Sequence, residues 1–297
     1  MAEAIIRGVG AYEDLAASEP LTDLKPVLKA DTGAAVRRIG RFIHLALIGA
    51  GRCLAGQTPP ADTAVYFTTG SGDFEVTVEV MEHVFRDGFP PKPLSFINTV
   101  SNAACFYVAK QYGFSGRSAC LGARHFGFEA ALQLALLDIR TGAVRSALVG
   151  SADIVLTPVE VHRRRLGQPP DAPIAEAAHW LWLTAPDGSA PGERQGGVRQ
   201  AAILPDREAL MAWIAAQQID PSSLILARGQ WLGDDDFAEL RRDLGDPAVF
   251  DYRAGRPYFD SQAAAAVGAF LATGEGGVLL HINGDPDGRY AVILAQR

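Results

Sequence analysis

The residues in this chain able to carry covalent or acid–base chemistry are three cysteines, six histidines and a few runs of like charge. A cysteine thiolate is the strongest nucleophile available to a protein, but Cys53, Cys105 and Cys120 are an odd set without Cys-x-x-Cys spacing. They support neither a zinc site nor a disulfide framework and read as reduced core thiols. Histidines 44, 83, 125, 162, 179 and 281 show no i,i+4 pairing and no carboxylate cluster, so no metal site is expected. Gly70-Ser71-Gly72 lacks the Lys-Ser/Thr that would complete a phosphate loop and reads as a turn. Asp234-Asp235-Asp236 suits the positive end of a helix better than a divalent cation. The densest basic run, His162-Arg163-Arg164-Arg165, is either a solvated surface or a docking patch for an anionic partner.

The elements that must position these groups follow from the apolar pattern. The chain has 297 residues, 48% of them hydrophobic and 21% charged, and a formal charge of −7. It is long enough for one large α/β domain or two fused halves, and its composition excludes disorder. The average field repels a phosphate backbone, so no nucleic-acid partner is expected. Apolar stretches such as 42–48 end well before the roughly twenty residues a bilayer span requires, and the opening residues do not read as a signal peptide. A cytoplasmic protein is expected. Helical spacing predicts helices over 34–54, 75–85, 98–112, 127–141, 207–217 and 261–273. Strands are predicted over the opening residues and over 63–69, 118–121, 146–150, 224–227, 278–282 and 290–294. The glycines and prolines of 185–197 predict a surface loop. The alternation gives an α/β fold in two halves, 1–155 and 156–297.

One stretch is more specific. From Phe96 to Asp153 the order is a helix ending in Tyr112-Gly113-Phe114-Ser115-Gly116, a strand at 118–123, an elbow at 124–128, an apolar helix, Gly142, and a strand closing on Gly150-Ser151-Ala152-Asp153. This resembles the nucleophile region of β-ketoacyl synthases. The resemblance implies a thiolase-like fold, two related βαβαβ halves layered α/β/α/β/α, in a chain shorter than full ketosynthases. Anchored on Gly116, Gly142 and Gly150, the family's spacing puts His125 where its nucleophilic cysteine stands. In Leu226-Ala227-Arg228-Gly229, Arg228 matches the first of the family's two catalytic histidines. Ser261 matches the second, and Arg256 falls near the family's lysine.

With those substitutions the resemblance implies a degenerate, non-condensing subunit of the chain length factor type. Its partners would be an active ketosynthase subunit, in a heterodimer, and an acyl carrier protein, in aryl-polyene-like polyketide or fatty acid biosynthesis. No cofactor is implied. Phe126 and Phe128 would border the acyl tunnel, and Arg163, Arg164 and Arg165 would be the carrier-docking candidates. A subunit built to pair would also expose an apolar patch when alone. Two alternatives stay open: a thioesterase or acyltransferase using His125 and Arg228, and a stand-alone carrier-binding module.

Overall fold

A computed structural model describes residues 3–16, 20–34, 36, 39–186 and 196–297. In chain order the strands and helices are β1 (Ala4–Leu15), α1 (Leu24–Thr32), α2 (Arg41–Cys53), β2 (Ala64–Thr69), α3 (Phe74–Phe85), α4 (Pro93–Asn98), α5 (Ala103–Tyr112), β3 (Ser118–Gly122), α6 (Gly127–Arg140) and β4 (Ser146–Asp153). They continue with α7 (Val159–Arg165), β5 (Ala175–Thr184), β6 (Gly197–Leu204), α8 (Arg207–Ala216), β7 (Leu224–Arg228), α9 (Asp234–Asp243), β8 (Ala248–Val249), α10 (Ala263–Ala272), β9 (Val278–Gly284) and β10 (Tyr290–Gln296).

The strands run β3-β2-β4-β5-β1-β6-β10-β9-β7-β8. Read outward from the centre, the order is a duplication: β1-β5-β4-β2-β3 on one side repeats as β6-β10-β9-β7-β8 on the other. The polarity repeats too. In each set the first two pairings are antiparallel (β1 with β5 and β5 with β4; β6 with β10 and β10 with β9) and the last two are parallel. Among the described residues the halves meet edge to edge through Ala4↔Val198 and Ile5↔Gly197, with Glu3 N–H donating to Val198 O and Ile6 N–H to Gly196 O. Strand β5, which lies beyond the 155/156 divide expected from the sequence, pairs with β4 and β1 of the first half.

Helix α6 packs on β2, β3 and β4 of its own half and on β6 and β10 of the other, while α10 packs on α6, β9, β1 and β5. These two helices form a central layer between the half-sheets. Phe128, Leu132 and Leu136 of α6 share one buried cluster with Ala265, Val267 and Phe270 of α10. The outer face of the first half is covered by α1, α2 and α5, and that of the second by α8 and α9. The result is the five-layered α/β/α/β/α arrangement. No helix among the described residues is long and apolar enough to cross a membrane.

Several elements differ from the sequence expectation for identifiable reasons. Helix α2 begins at Arg41 behind Gly40, not at residue 34, and Arg37 and Arg38 lie outside the described residues. The helix expected over 98–112 starts later: a separate short helix, α4, opened by Pro93, whose fixed φ suits a first helical position, ends at Asn98, and α5 begins at Ala103 after a break at 99–102. Strand β3 is a half-exposed sheet edge, not a buried strand. Strands β5 and β6 and helix α7 have no counterpart in the sequence reading. Every residue of β5 but the last is buried, because both of its faces are covered, so no period-two pattern marks it. Of the loop expected over 185–197, residues 187–195 lie outside the described residues, and Gly197 already belongs to β6.

The segment 74–106 exposes large apolar side chains. Phe74, Val78, Met81 and Phe85 recur exposed at helical spacing along α3, and Phe89, Phe96, Ile97 and Phe106, all four more than half exposed, add to them. Isolated exposed apolar residues are ordinary, but a concentration of this kind marks an interaction surface.

Leu132 and Leu137 lie on opposite sides of α6, the first fully buried and the second 42% exposed. Leu132→Ala should lower the unfolding free energy by about 2–5 kcal/mol, whereas Leu137→Ala should change it by no more than about 0.5 kcal/mol. Urea unfolding of the two variants checks the assignment of the central layer.

Candidate functional site

The parallel strands β2, β3 and β4 end at Thr69, Gly122 and Asp153, and β7 and β9 end at Arg228 and Gly284. The loops leaving these ends meet around the start of α6. The strand-to-helix elbow is tight: Phe126, immediately before α6, has φ 58° and ψ 19°, a left-handed conformation that a side-chain-bearing residue adopts at some cost. Gly127 follows for steric reasons, since a Cβ there would lie 2.4 Å from Thr68 Oγ1 at the end of β2.

His125 sits half-buried on this elbow. Its imidazole meets the Trp231 ring edge-on, with centroids 4.7 Å apart and an interplanar angle of 86°. Trp231 in turn stands 6.4 Å from Tyr258 at 85°, and the Arg124 guanidinium lies 6.0 Å from the indole centroid. The sequence reading missed Trp231. The available signal was a large aromatic in a short loop bounded by Gly229 and Gly233 directly after a strand.

Trp231 is held by Asn283 of β9. Asn283 Oδ1 accepts from the backbone N–H groups of Trp231 (3.0 Å) and Gly284 (3.1 Å), and its Nδ2 donates to Glu129 Oε1 (3.0 Å). Glu129 lies in the first turn of α6, two residues after the elbow glycine, and is almost fully buried. Burial raises its pKa, with the Asn283 hydrogen bond acting against the rise. The approach of the 229–231 loop requires Gly229, whose Cβ would fall within 2.5 Å of the Asn283 side chain.

A second junction lies beside the elbow. Buried Asp153 accepts from Thr69 Oγ1 (3.3 Å) and Gly70 N–H (2.9 Å) of its own half through Oδ1, and from Ser261 N–H (2.7 Å) of the other half through Oδ2. Asp260 Oδ2 accepts from Ser71 Oγ (2.9 Å), and Arg165 Nη2 reaches Ser71 Oγ at 2.6 Å. Burial first, and the Asp260 charge second, push the Asp153 carboxyl up to about 6.

The structure therefore brings His125, Phe126 and Trp231 together, with Ser261 buried at the adjoining junction. Phe128 belongs to the central core cluster. Arg228 lies elsewhere. Its neighbours Leu224 and Leu226 alternate toward the α8–α9 face, and its guanidinium forms an ion pair with Asp234 at the start of α9. Asp234, Asp235 and Asp236 occupy the first turn of that helix, where negative charge is favoured. Arg256 pairs with Glu13. The basic run is divided: Arg163 Nε donates to the Ala172 carbonyl (2.9 Å), Arg165 is engaged with Ser71, and Arg164 is exposed.

No protein-family model and no curated protein sequence matches this chain. Solved structures do. The ishigamide ketosynthase/chain length factor aligns over 99% of each chain with a TM-score of 0.75 and 15% identity. The fold is that of the thiolase-like ketosynthases. An acyl-carrier protein of a type II polyketide synthase in complex with its ketosynthase bound to the hexaketide gives a TM-score of 0.73 at 13% identity, over 100% of this chain and 99% of that one. A β-ketoacyl synthase from Burkholderia phymatum gives 0.71 at 14% identity, over 100% of both. At 297 residues this is a short version of the ketosynthase fold.

The raised pKa of Asp153 sets a sign for pH dependence. An ordinary Asp has its pKa at 3.8, and the folded chain holds the Asp153 proton up to about pH 6. The folded state thus binds the proton more tightly than the unfolded one, and the stability this confers is lost as pH rises from about 4 through about 6. Urea midpoints measured across that range should fall more steeply with pH for the unaltered chain than for Asp153→Asn. Parallel profiles would contradict the assignment.

Proposed function

We propose that this chain is a non-condensing subunit of the chain length factor type. It pairs as a heterodimer with a cysteine-bearing β-ketoacyl synthase and helps shape the acyl or polyketide chain carried on an acyl carrier protein. In this reading the product belongs to polyketide or fatty acid synthesis of the aryl-polyene-like kind, and the chain works in the cytoplasm.

The observation that carries the proposal is the chemistry at the elbow. A Claisen condensation needs a thiolate there to hold the growing chain as a stable thioester, with donors aimed at the developing enolate. The elbow carries His125 and Phe126, and Trp231 covers the imidazole. The three thiols lie in α2, α5 and β3. An acyl-imidazole on His125 would hydrolyse before an extender unit reached it. The pairing is supported by two surfaces: the five-residue edge strand β3, with its outward backbone groups, and the exposed apolar segment 74–106. The structural likeness to a ketosynthase/chain length factor points the same way. In the pair, Phe126 and Phe128 are the side chains assigned to the bore of the acyl tunnel, and exposed Arg164 is the basic residue offered to the carrier.

A hydrolase or acyltransferase built on His125 and Arg228 draws no support from the geometry, because Arg228 is committed to Asp234 on another face. A stand-alone carrier-binding module leaves the apolar segment 74–106 without an occupant.

Reconstitution with the cysteine-bearing sister tests the proposal. Chain elongation on an acyl carrier should require both proteins and should continue at an unchanged rate with His125→Ala, while Phe126→Ala should alter product length. Turnover of an acyl-carrier thioester by the chain alone, abolished by His125→Ala, would overturn it.

A further inference from the structure

Two of the three cysteines meet at the edge of the sheet, away from the elbow. Cys105, buried in α5, has its Sγ 3.7 Å from the carbonyl oxygen of Ala119 in β3. Ala119 and Cys120 are consecutive strand residues, so their side chains leave opposite faces. Ala119 packs against the central core, and Cys120 packs against the outer cluster that contains Cys105. Both cysteine side chains therefore lie between α5 and β3, where the Cys105 S–H donates to the Ala119 carbonyl next to Cys120.

The partners are unequal in a way that suits exchange chemistry. Cys120 lies on the half-exposed edge strand, within reach of a small reagent. The neighbouring Cys105 thiol holds it below the ordinary value, and Cys105, which is also buried, is pushed up. Nucleophilic attack on a disulfide requires such an accessible, thiolate-prone sulfur with a second thiol beside it. Cys53 is different: it is buried in α2, and burial pushes its thiol up to about 12.

We infer that Cys105 and Cys120 are a reversible disulfide-forming site, with Cys120 as the attacking and Cys105 as the resolving thiol, oxidised by a low-molecular-weight disulfide such as glutathione disulfide. The Cys120 thiolate attacks one sulfur of that disulfide and expels a thiolate, leaving a mixed disulfide on Cys120. Cys105 loses its proton to solvent, attacks Cys120 Sγ and expels the second thiolate. Two protein thiols are oxidised by two electrons, and one small disulfide is reduced to two thiols. The product covalently fastens α5 to the free edge of the sheet, next to the apolar segment 74–106. The inference does not depend on the proposed pairing.

The test treats the purified full chain with excess glutathione disulfide and then alkylates it under denaturing conditions. Intact mass and peptide mapping are the readouts. The expected product has lost two hydrogens, retains one alkylatable thiol at Cys53, contains a Cys105–Cys120 linked peptide, and reverts fully with dithiothreitol. Cys105→Ser or Cys105→Ala should trap a glutathione adduct on Cys120, and Cys120→Ser should leave both remaining thiols reduced. Three alkylatable thiols after treatment, a persistent glutathione adduct on the unaltered chain, or a Cys120–Cys120 link between chains would each overturn the inference.

Discussion

A buried hydrogen bond, from Asn283 Nδ2 to Glu129 Oε1, joins the two halves beside the strand-to-helix elbow. A carboxyl group removed from water in the central layer must find a donor, or its burial costs several kcal/mol. Glu129 finds that donor on β9 of the opposite half. Asn283 uses its remaining acceptor to fix the loop after β7, and so sets where Trp231 can stand. The elbow, the loop and the strand end are thereby positioned by one amide side chain. Gly229 lacks a Cβ because its backbone approaches the Asn283 side chain too closely to admit one, and Gly127 because its backbone approaches Thr68 of β2.

The chemistry of the site follows from that placement. His125 is confined against an indole edge, flanked by a residue in a strained left-handed conformation, at the head of a helix able to stabilise negative charge. A thiolate in this position would benefit from the helix. An imidazole instead contributes a polar ring to an aromatic cluster. The neighbouring Asp153 junction repeats the theme of the Glu129 contact: a buried acid accepts donors from both halves and locks the start of α10 to the ends of β2 and β4. Polar groups at this centre hold the halves together.

Much of this was legible in the sequence, and the limits have physical causes. The helix α6, its stop near Gly142, the strands β2, β4, β7, β9 and β10, and the resemblance to ketosynthases rest on local periodicity and short-range order, which a chain displays directly. Strand β5 escaped because Ala175 to Leu183 is buried on both faces and shows no alternation. Strand β6 is identified by its pairing with β10, a contact between residues distant in sequence. At the site, His125 and Ser261 were singled out by the family resemblance alone. Trp231 and Asn283 were not, because their roles exist only once the two halves are packed. Arg228, matched to a family histidine through the strand it ends, follows Leu224 and Leu226 to the α8–α9 face and pairs there with Asp234.

The central claim is that this chain completes a heterodimer whose other subunit carries the reactive thiol. The most direct measurement is the native mass of the complex recovered with a tagged copy expressed in its own host, with peptide identification of whatever accompanies it. The account predicts a one-to-one complex with a cysteine-bearing ketosynthase, the apolar segment 74–106 becoming protected from solvent exchange in the pair. A monodisperse monomer or homodimer, soluble at micromolar concentration with that segment exposed, would contradict it.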